Sequence, residues 1–94
     1  MAKSYGGIGN VYNSQGQYER ALEYYQKSLE IRIRVFGSDH PDVAVSYENL
    51  AAVYQTQGNH VQTKEMVTMA YHIFLKVLGP DHPQTQGLKR FVDE

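Results

Sequence analysis

The sequence predicts an all-α fold of stacked helical hairpins, and three observations carry the prediction. The chain repeats itself at an offset of 42: Gly37-Ser38-Asp39-His40-Pro41 returns as Gly79-Pro80-Asp81-His82-Pro83, and Ala2, Ser4, Tyr5, Val11, Tyr12, Gln15, Gly16, Glu23, Ile31 and Val35 each recur 42 positions later. A fixed period of this size marks an array whose units share a core with their neighbours. Apolar residues within each unit fall at helical spacing, as in Val43, Tyr47, Leu50, Ala51 and Tyr54. No stretch alternates with period two between turn signals, so no sheet is expected. The 94 residues form one domain, divided into repeat one (1–42), repeat two (43–84) and a partial third repeat or terminal helix (85–94).

Each repeat reads as two helices. The first, near 2–15, ends at Gly16; its counterpart near 41–57 opens on Pro41, whose missing N–H costs nothing in a first turn, and ends at Gly58. The second helix of repeat one, near 18–36, carries Tyr18, Ala21, Leu22, Tyr25, Leu29, Ile33 and Phe36 on one stripe and Tyr24, Ile31 and Val35 on another. Two stripes require two neighbours, and the second is expected to be covered by repeat two. Glu23 and Lys27 form an i,i+4 pair in the favourable order, as do Glu30 and Arg34. Its counterpart spans about 60–78, and Gly37 and Gly79 close the two long helices. A short helix near 83–92 offers only Leu88, Phe91 and Val92 for packing.

Composition narrows the function classes. With 9 Lys+Arg against 10 Asp+Glu there is no basic excess, which argues against a nucleic-acid partner. The mean hydropathy is −0.52, and no apolar run approaches the roughly 20 residues of a membrane span. The first residues lack a signal-peptide apolar stretch, and the absence of cysteine removes disulfides, thiolate metal sites and a thiol nucleophile. A cytoplasmic setting is the expectation.

The run Tyr5-x2-Ile8-Gly9-x2-Tyr12, then Gly16, Tyr18, Ala21-x3-Tyr25 and Ser28-Leu29, resembles the tetratricopeptide repeat. The 42-residue period and the Gly-x-Asp-His-Pro connector resemble the kinesin light chain variety. The resemblance covers nearly the whole chain. It implies a right-handed α-solenoid of two repeats plus a partial third, cut from a longer array, with Gly9 and Ala21 at the close helix crossing and Tyr5, Ile8 and Tyr25 filling the space around them. Repeat two departs from the pattern: Thr63 replaces the small alanine, Val67 the aromatic, and His60 stands where Tyr18 stood. Thr63 is therefore expected to tolerate substitution better than Ala21. Met66, Met69, Tyr71, Phe74 and Leu75 make the fourth helix apolar over a wide arc.

No chemistry-bearing constellation survives inspection. Asp39, His40, Asp81 and His82 occupy equivalent places on successive repeats, about 10 Å apart for stacked helices, whereas a metal needs ligands converging within about 2 Å; Asp39 or His40 instead caps the helix opening at Pro41. His60 and His72 read as surface residues. Ser4 and Ser46 have no acid–base partner nearby in sequence. Gly6-Gly7-x-Gly9 lacks the Lys-Ser/Thr pair of a phosphate loop. The tyrosines read as packing residues. Neither catalysis nor a cofactor or metal is expected.

The resemblance implies that the first helix of each pair lines a concave groove for a peptide. Its register places Lys3, Gly6, Asn10, Asn13 and Ser14 there from repeat one, and Val45, Glu48, Ala52, Gln55 and Thr56 from repeat two. Lys3, Asn10, Asn13, Glu48 and Gln55 are the candidate binding residues. An asparagine often occupies the place of Gly6 and Glu48 in kinesin light chains, so Asn10 and Asn13 are left to bond a peptide backbone. The expectation is a non-catalytic module that binds a protein or peptide segment. The alternative is a structural module, a homo-oligomer formed through its open apolar ends.

Overall fold

A computed structural model describes residues 2–93, with side chains from Tyr5 onward. It comprises α1 (Ala2–Ser14), α2 (Tyr18–Phe36), α3 (Pro41–Thr56), α4 (His60–Leu78) and α5 (Pro83–Asp93), each within one residue of the expected bounds. The extensive packing runs between sequence neighbours, α1 on α2, α2 on α3, α3 on α4 and α4 on α5. That is the contact pattern of a solenoid. The molecule measures 35 × 31 × 18 Å, so it is about two helix diameters thick.

The caps follow from the repeated connectors. His40 is the N-cap of α3: its Nδ1 accepts the Asp42 N–H at 3.0 Å. His82 does the same for Gln84 at 3.2 Å. The histidine of each Asp-His pair, not the aspartate, satisfies an otherwise orphaned donor of the first turn. Asp39 is used elsewhere, in a 2.7 Å pair with Lys76 that ties the α2–α3 connector to α4. Gly37 and Gly79 adopt φ of 85° and 90°, a left-handed conformation that a β-carbon disfavours.

The core consists of two clusters, both bridging the repeats. In one, Ala21 and Tyr25 of α2 meet Leu50 and Val53 of α3, with Tyr12, Leu22, Leu29 and Met66 around them. In the other, Val43 and Ala44 of α3 meet Ala70, Ile73 and Phe74 of α4, with Leu29 and Ile33 of α2 and Leu88 of α5 against them. Fully burying a residue such as Leu50 contributes about 1.5–3 kcal/mol. The Arg32 guanidinium adds a polar tie between α2 and α3, donating to the Ser46 hydroxyl at 2.9 Å and the Asp42 carbonyl at 3.2 Å.

Ala21 is completely buried, as the close-crossing argument requires. Ile8, however, does not fill the space around it, because it is 39% exposed. The second stripe of α2 also differs from expectation. Tyr24 turns to α1, where its ring stacks on Tyr5 and Tyr12 at centroid distances of 6.1 and 5.5 Å; Val35 is exposed. The first stripe meets the next repeat, since Leu22, Leu29 and Ile33 pack against the two core clusters. Phe36, at the end of that stripe, is exposed and stacks on His40 at 4.3 Å. On α4, Met66 packs inward on the cluster around Leu50, and Ile73 is buried.

Candidate functional site

The predicted groove residues sit on the two first helices, α1, which packs on α2, and α3, which packs on α2 and α4. Lys3 lies on α1, but its side chain is outside the described residues. Asn10 is exposed and Asn13 half-buried. The Asn10 amide is already oriented: its Oδ1 accepts a hydrogen bond from the Tyr25 hydroxyl. Burial pushes the Tyr25 phenol up from its ordinary value, which keeps it a donor. With its oxygen engaged, Asn10 offers its NH2 group outward, which suits a carbonyl of an extended chain.

On α3 the stripe Val45, Glu48, Ala52 and Gln55 follows the i, i+3, i+7, i+10 spacing of one helix face. Val45, Ala52 and Gln55 are exposed and Glu48 is half-buried. Burial raises the Glu48 carboxyl above the usual value, because desolvation disfavours the charged form. Glu48 forms no hydrogen bond or ion pair among the described residues. Thr56 is turned back on its own helix, donating to the Ala52 carbonyl at 3.0 Å, so it adds little to the lining.

A hollow lies on repeat two, lined by other residues. It is an open depression of about 810 Å3 between Tyr47 of α3 and the first half of α4, lined among others by His60, Val61, Lys64, Met66 and Met69. None of the five predicted groove residues lines it. The wide apolar arc of the fourth helix was the sequence signal for it. In repeat one the equivalents of Met66 and Met69 are Tyr24 and Lys27; that lysine lies 5.8 and 5.1 Å from the centres of the Tyr5 and Tyr24 rings. Replacing a ring and a cation by two flexible thioethers leaves the hollow.

The repeated Asp-His pairs do not converge, since each histidine caps its own helix. Among the described residues no group of three or more His, Asp or Glu is placed to hold a metal ion. His60 and His72 are exposed. No described helix is long and apolar enough to cross a membrane.

Comparison with known proteins bears on this arrangement. The tetratricopeptide repeat family model matches residues 1–76. No curated protein matches the chain. Among solved structures, BtubC (BKLC) from P. vanneervenii superposes with a TM-score of 0.80 at 18% identity, covering 93% of this chain and 34% of that one. Repeats from Podosopora anserina, described as nearly identical TPR-like repeats of a kinesin light chain, give a TM-score of 0.77 at 24% identity, covering 96% of this chain and 43% of that one. The chain thus spans less than half the length of these similar structures.

Proposed function

The chain belongs to the tetratricopeptide repeat family, and from that premise we propose that it is a non-catalytic interaction module holding a peptide segment in the groove of α1 and α3. Repeats of this family are generally protein–protein interaction modules. The observation that carries the reading is the state of the groove's polar groups. Asn10 is oriented by Tyr25, Glu48 is half-buried without a partner among the described residues, and Gln55 is exposed. Donors and acceptors that the fold leaves unused on one face suit the backbone of an extended ligand.

Selection of random dodecapeptides on the purified chain tests this. Bound peptides are expected to shift the amide resonances of Asn10, Asn13, Glu48 and Gln55. A triple alanine variant at Asn10, Asn13 and Gln55 is expected to bind them more weakly, each neutral hydrogen bond contributing about 0.5–1.5 kcal/mol. Peptides that bind the triple variant as tightly as the parent would place the site elsewhere.

A second reading, self-association through the repeat ends, is favoured by one comparison inside the molecule. Ile8 and Val11 are 39% and 55% exposed, whereas their equivalents Leu50 and Val53 are 2% and 0% exposed beneath α2. The same face that is core in repeat two is bare in repeat one.

A further inference from the structure

We infer that the peptide held in this groove presents a lysine or arginine side chain to the carboxylate of Glu48. The inference rests on the peptide-binding reading above and names the chemistry of its ligand. Its ground is a carboxylate that no described cation meets. Arg32 is engaged on Ser46 and Asp42, Lys76 on Asp39, and Lys27 on Glu23 and the rings of Tyr5 and Tyr24; the Lys3 side chain lies outside the described residues. Glu48 is half-buried in the middle of α3 and has no counterpart among the described residues. A carboxylate removed from water without a partner is unfavourable, and an arriving cation offsets that cost through a charge-assisted hydrogen bond.

The surroundings fit the stem of such a side chain as well as its head. Val45 and Ala52 flank Glu48 on the same helix face and are exposed. Together they offer apolar surface for the methylene chain of a lysine or arginine. The equivalent of Glu48 in repeat one is Gly6, so no side chain stands at the neighbouring groove position. The approach to the carboxylate is thereby left open. An acidic ligand would meet the opposite outcome, because a second negative charge beside a partly desolvated carboxylate is repelled.

The test uses three fluorescent octapeptides, alternating Ala-Arg, Ala-Ser and Ala-Glu, titrated against the intact chain by anisotropy at low salt. The Ala-Arg peptide is expected to bind, and the other two to bind at least about tenfold more weakly, as fits one charged hydrogen bond. Glu48→Gln is expected to remove that preference while leaving the circular dichroism spectrum unchanged. Failure of the Ala-Arg peptide to bind, or equal binding of all three, overturns the inference. So does an Ala-Arg affinity that Glu48→Gln leaves intact. A neutral block of the groove, Ala52→Tyr, separates the two levels of the argument. Binding lost with Ala52→Tyr but kept with Glu48→Gln overturns only the role of Glu48. Binding kept with both overturns the groove itself.

Discussion

Gly9 faces the ring of Tyr25 so closely that a β-carbon on residue 9 would lie 2.8 Å from the ring carbons Cδ1 and Cε1. Real β-carbons do not approach that far, so Gly9→Ala must displace the ring or open the α1–α2 crossing. The ring has little freedom to move, since its hydroxyl is tied to Asn10 and its body is buried. Alanine gains about 1 kcal/mol of helix propensity over glycine, and overpacking costs about 1–3 kcal/mol. The expected net effect is destabilisation of about 1 kcal/mol. Gly7, two residues away, has open space where its β-carbon would stand, so Gly7→Ala is expected to stabilise by about 0.5–1 kcal/mol. Urea denaturation of the pair checks the opposite signs.

Ala21 and Thr63 occupy equivalent crossings, and the structure makes them equally buried, at 0% and 1% exposure. Ala21→Leu is expected to cost about 1–3 kcal/mol. Thr63 is as closed to solvent as Ala21, so Thr63→Leu is also expected to destabilise, by less than Ala21→Leu if Val67 leaves more room than Tyr25. Thr63→Val should be far milder. The Thr63 hydroxyl donates to the Asn59 carbonyl at 2.8 Å, but that carbonyl also accepts the Thr63 N–H at 3.0 Å and remains satisfied. Thermal melts of the three variants measure this order.

Thr85 stands where Val43 stands one repeat earlier, and both are buried. The Thr85 hydroxyl has no hydrogen-bond partner among the described residues. A buried hydroxyl without a partner costs about 1–3 kcal/mol relative to an apolar group of the same shape. Thr85→Val is expected to stabilise the chain by about 1 kcal/mol, read as a higher urea midpoint with an unchanged slope.

The helix bounds were legible because the signals were local: Pro41, Pro83 and the four repeated glycines mark them directly. Ala21 and Leu50 were legible as packing residues from spacing alone. The direction in which each stripe faces was not. Spacing places Tyr24, Ile31 and Val35 on one side of α2, yet whether that side meets α1, α3 or solvent depends on the rotation of α2 between its neighbours. The tyrosine stack on α1 fixes that rotation, and no one-dimensional pattern encodes it. Ile8 illustrates the same point: its motif position marks a packing residue, and its burial requires a helix against that face, which none of the described helices supplies. In the groove, spacing gave the stripe of α3, but the tie between Asn10 and Tyr25 joins residues on two helices and needed the fold.

Glu48 gives a pH signature. Its folded-state pKa is raised by desolvation, so its contribution to stability is greatest at low pH, where it is protonated in both states. That contribution is lost as pH rises through the raised folded value. Glu48→Gln is therefore expected to raise the Tm at pH 7 and to leave it nearly unchanged at pH 3. The effect is small, because a half-exposed carboxylate is screened by solvent. Parallel thermal melts at the two pH values check it; a lower Tm for the variant at pH 7 would show that Glu48 is stabilised by the fold.

The bare face of α1 makes the final prediction. Ile8 and Val11 carry the apolar character of Leu50 and Val53 without the cover that α2 supplies to those residues. Apolar surface of this kind marks a contact site, and a repeat array is stabilised by whatever packs on such a face. The isolated chain is expected to associate in a concentration-dependent way, visible by light scattering at about 10–100 µM as mass action requires. Ile8→Lys with Val11→Lys is the informative variant. Both residues are exposed in the monomer, so the change leaves the monomer's core intact and the helical circular dichroism should persist while the larger species disappear. Ile73→Asp is the contrasting control. Ile73 is buried, and an unpaired carboxylate there unfolds the chain instead of dispersing it. A parent chain that stays monomeric across that range would remove self-association through this face from consideration, and a double-lysine variant that still associates would move the contact to the hollow beside Met66 and Met69.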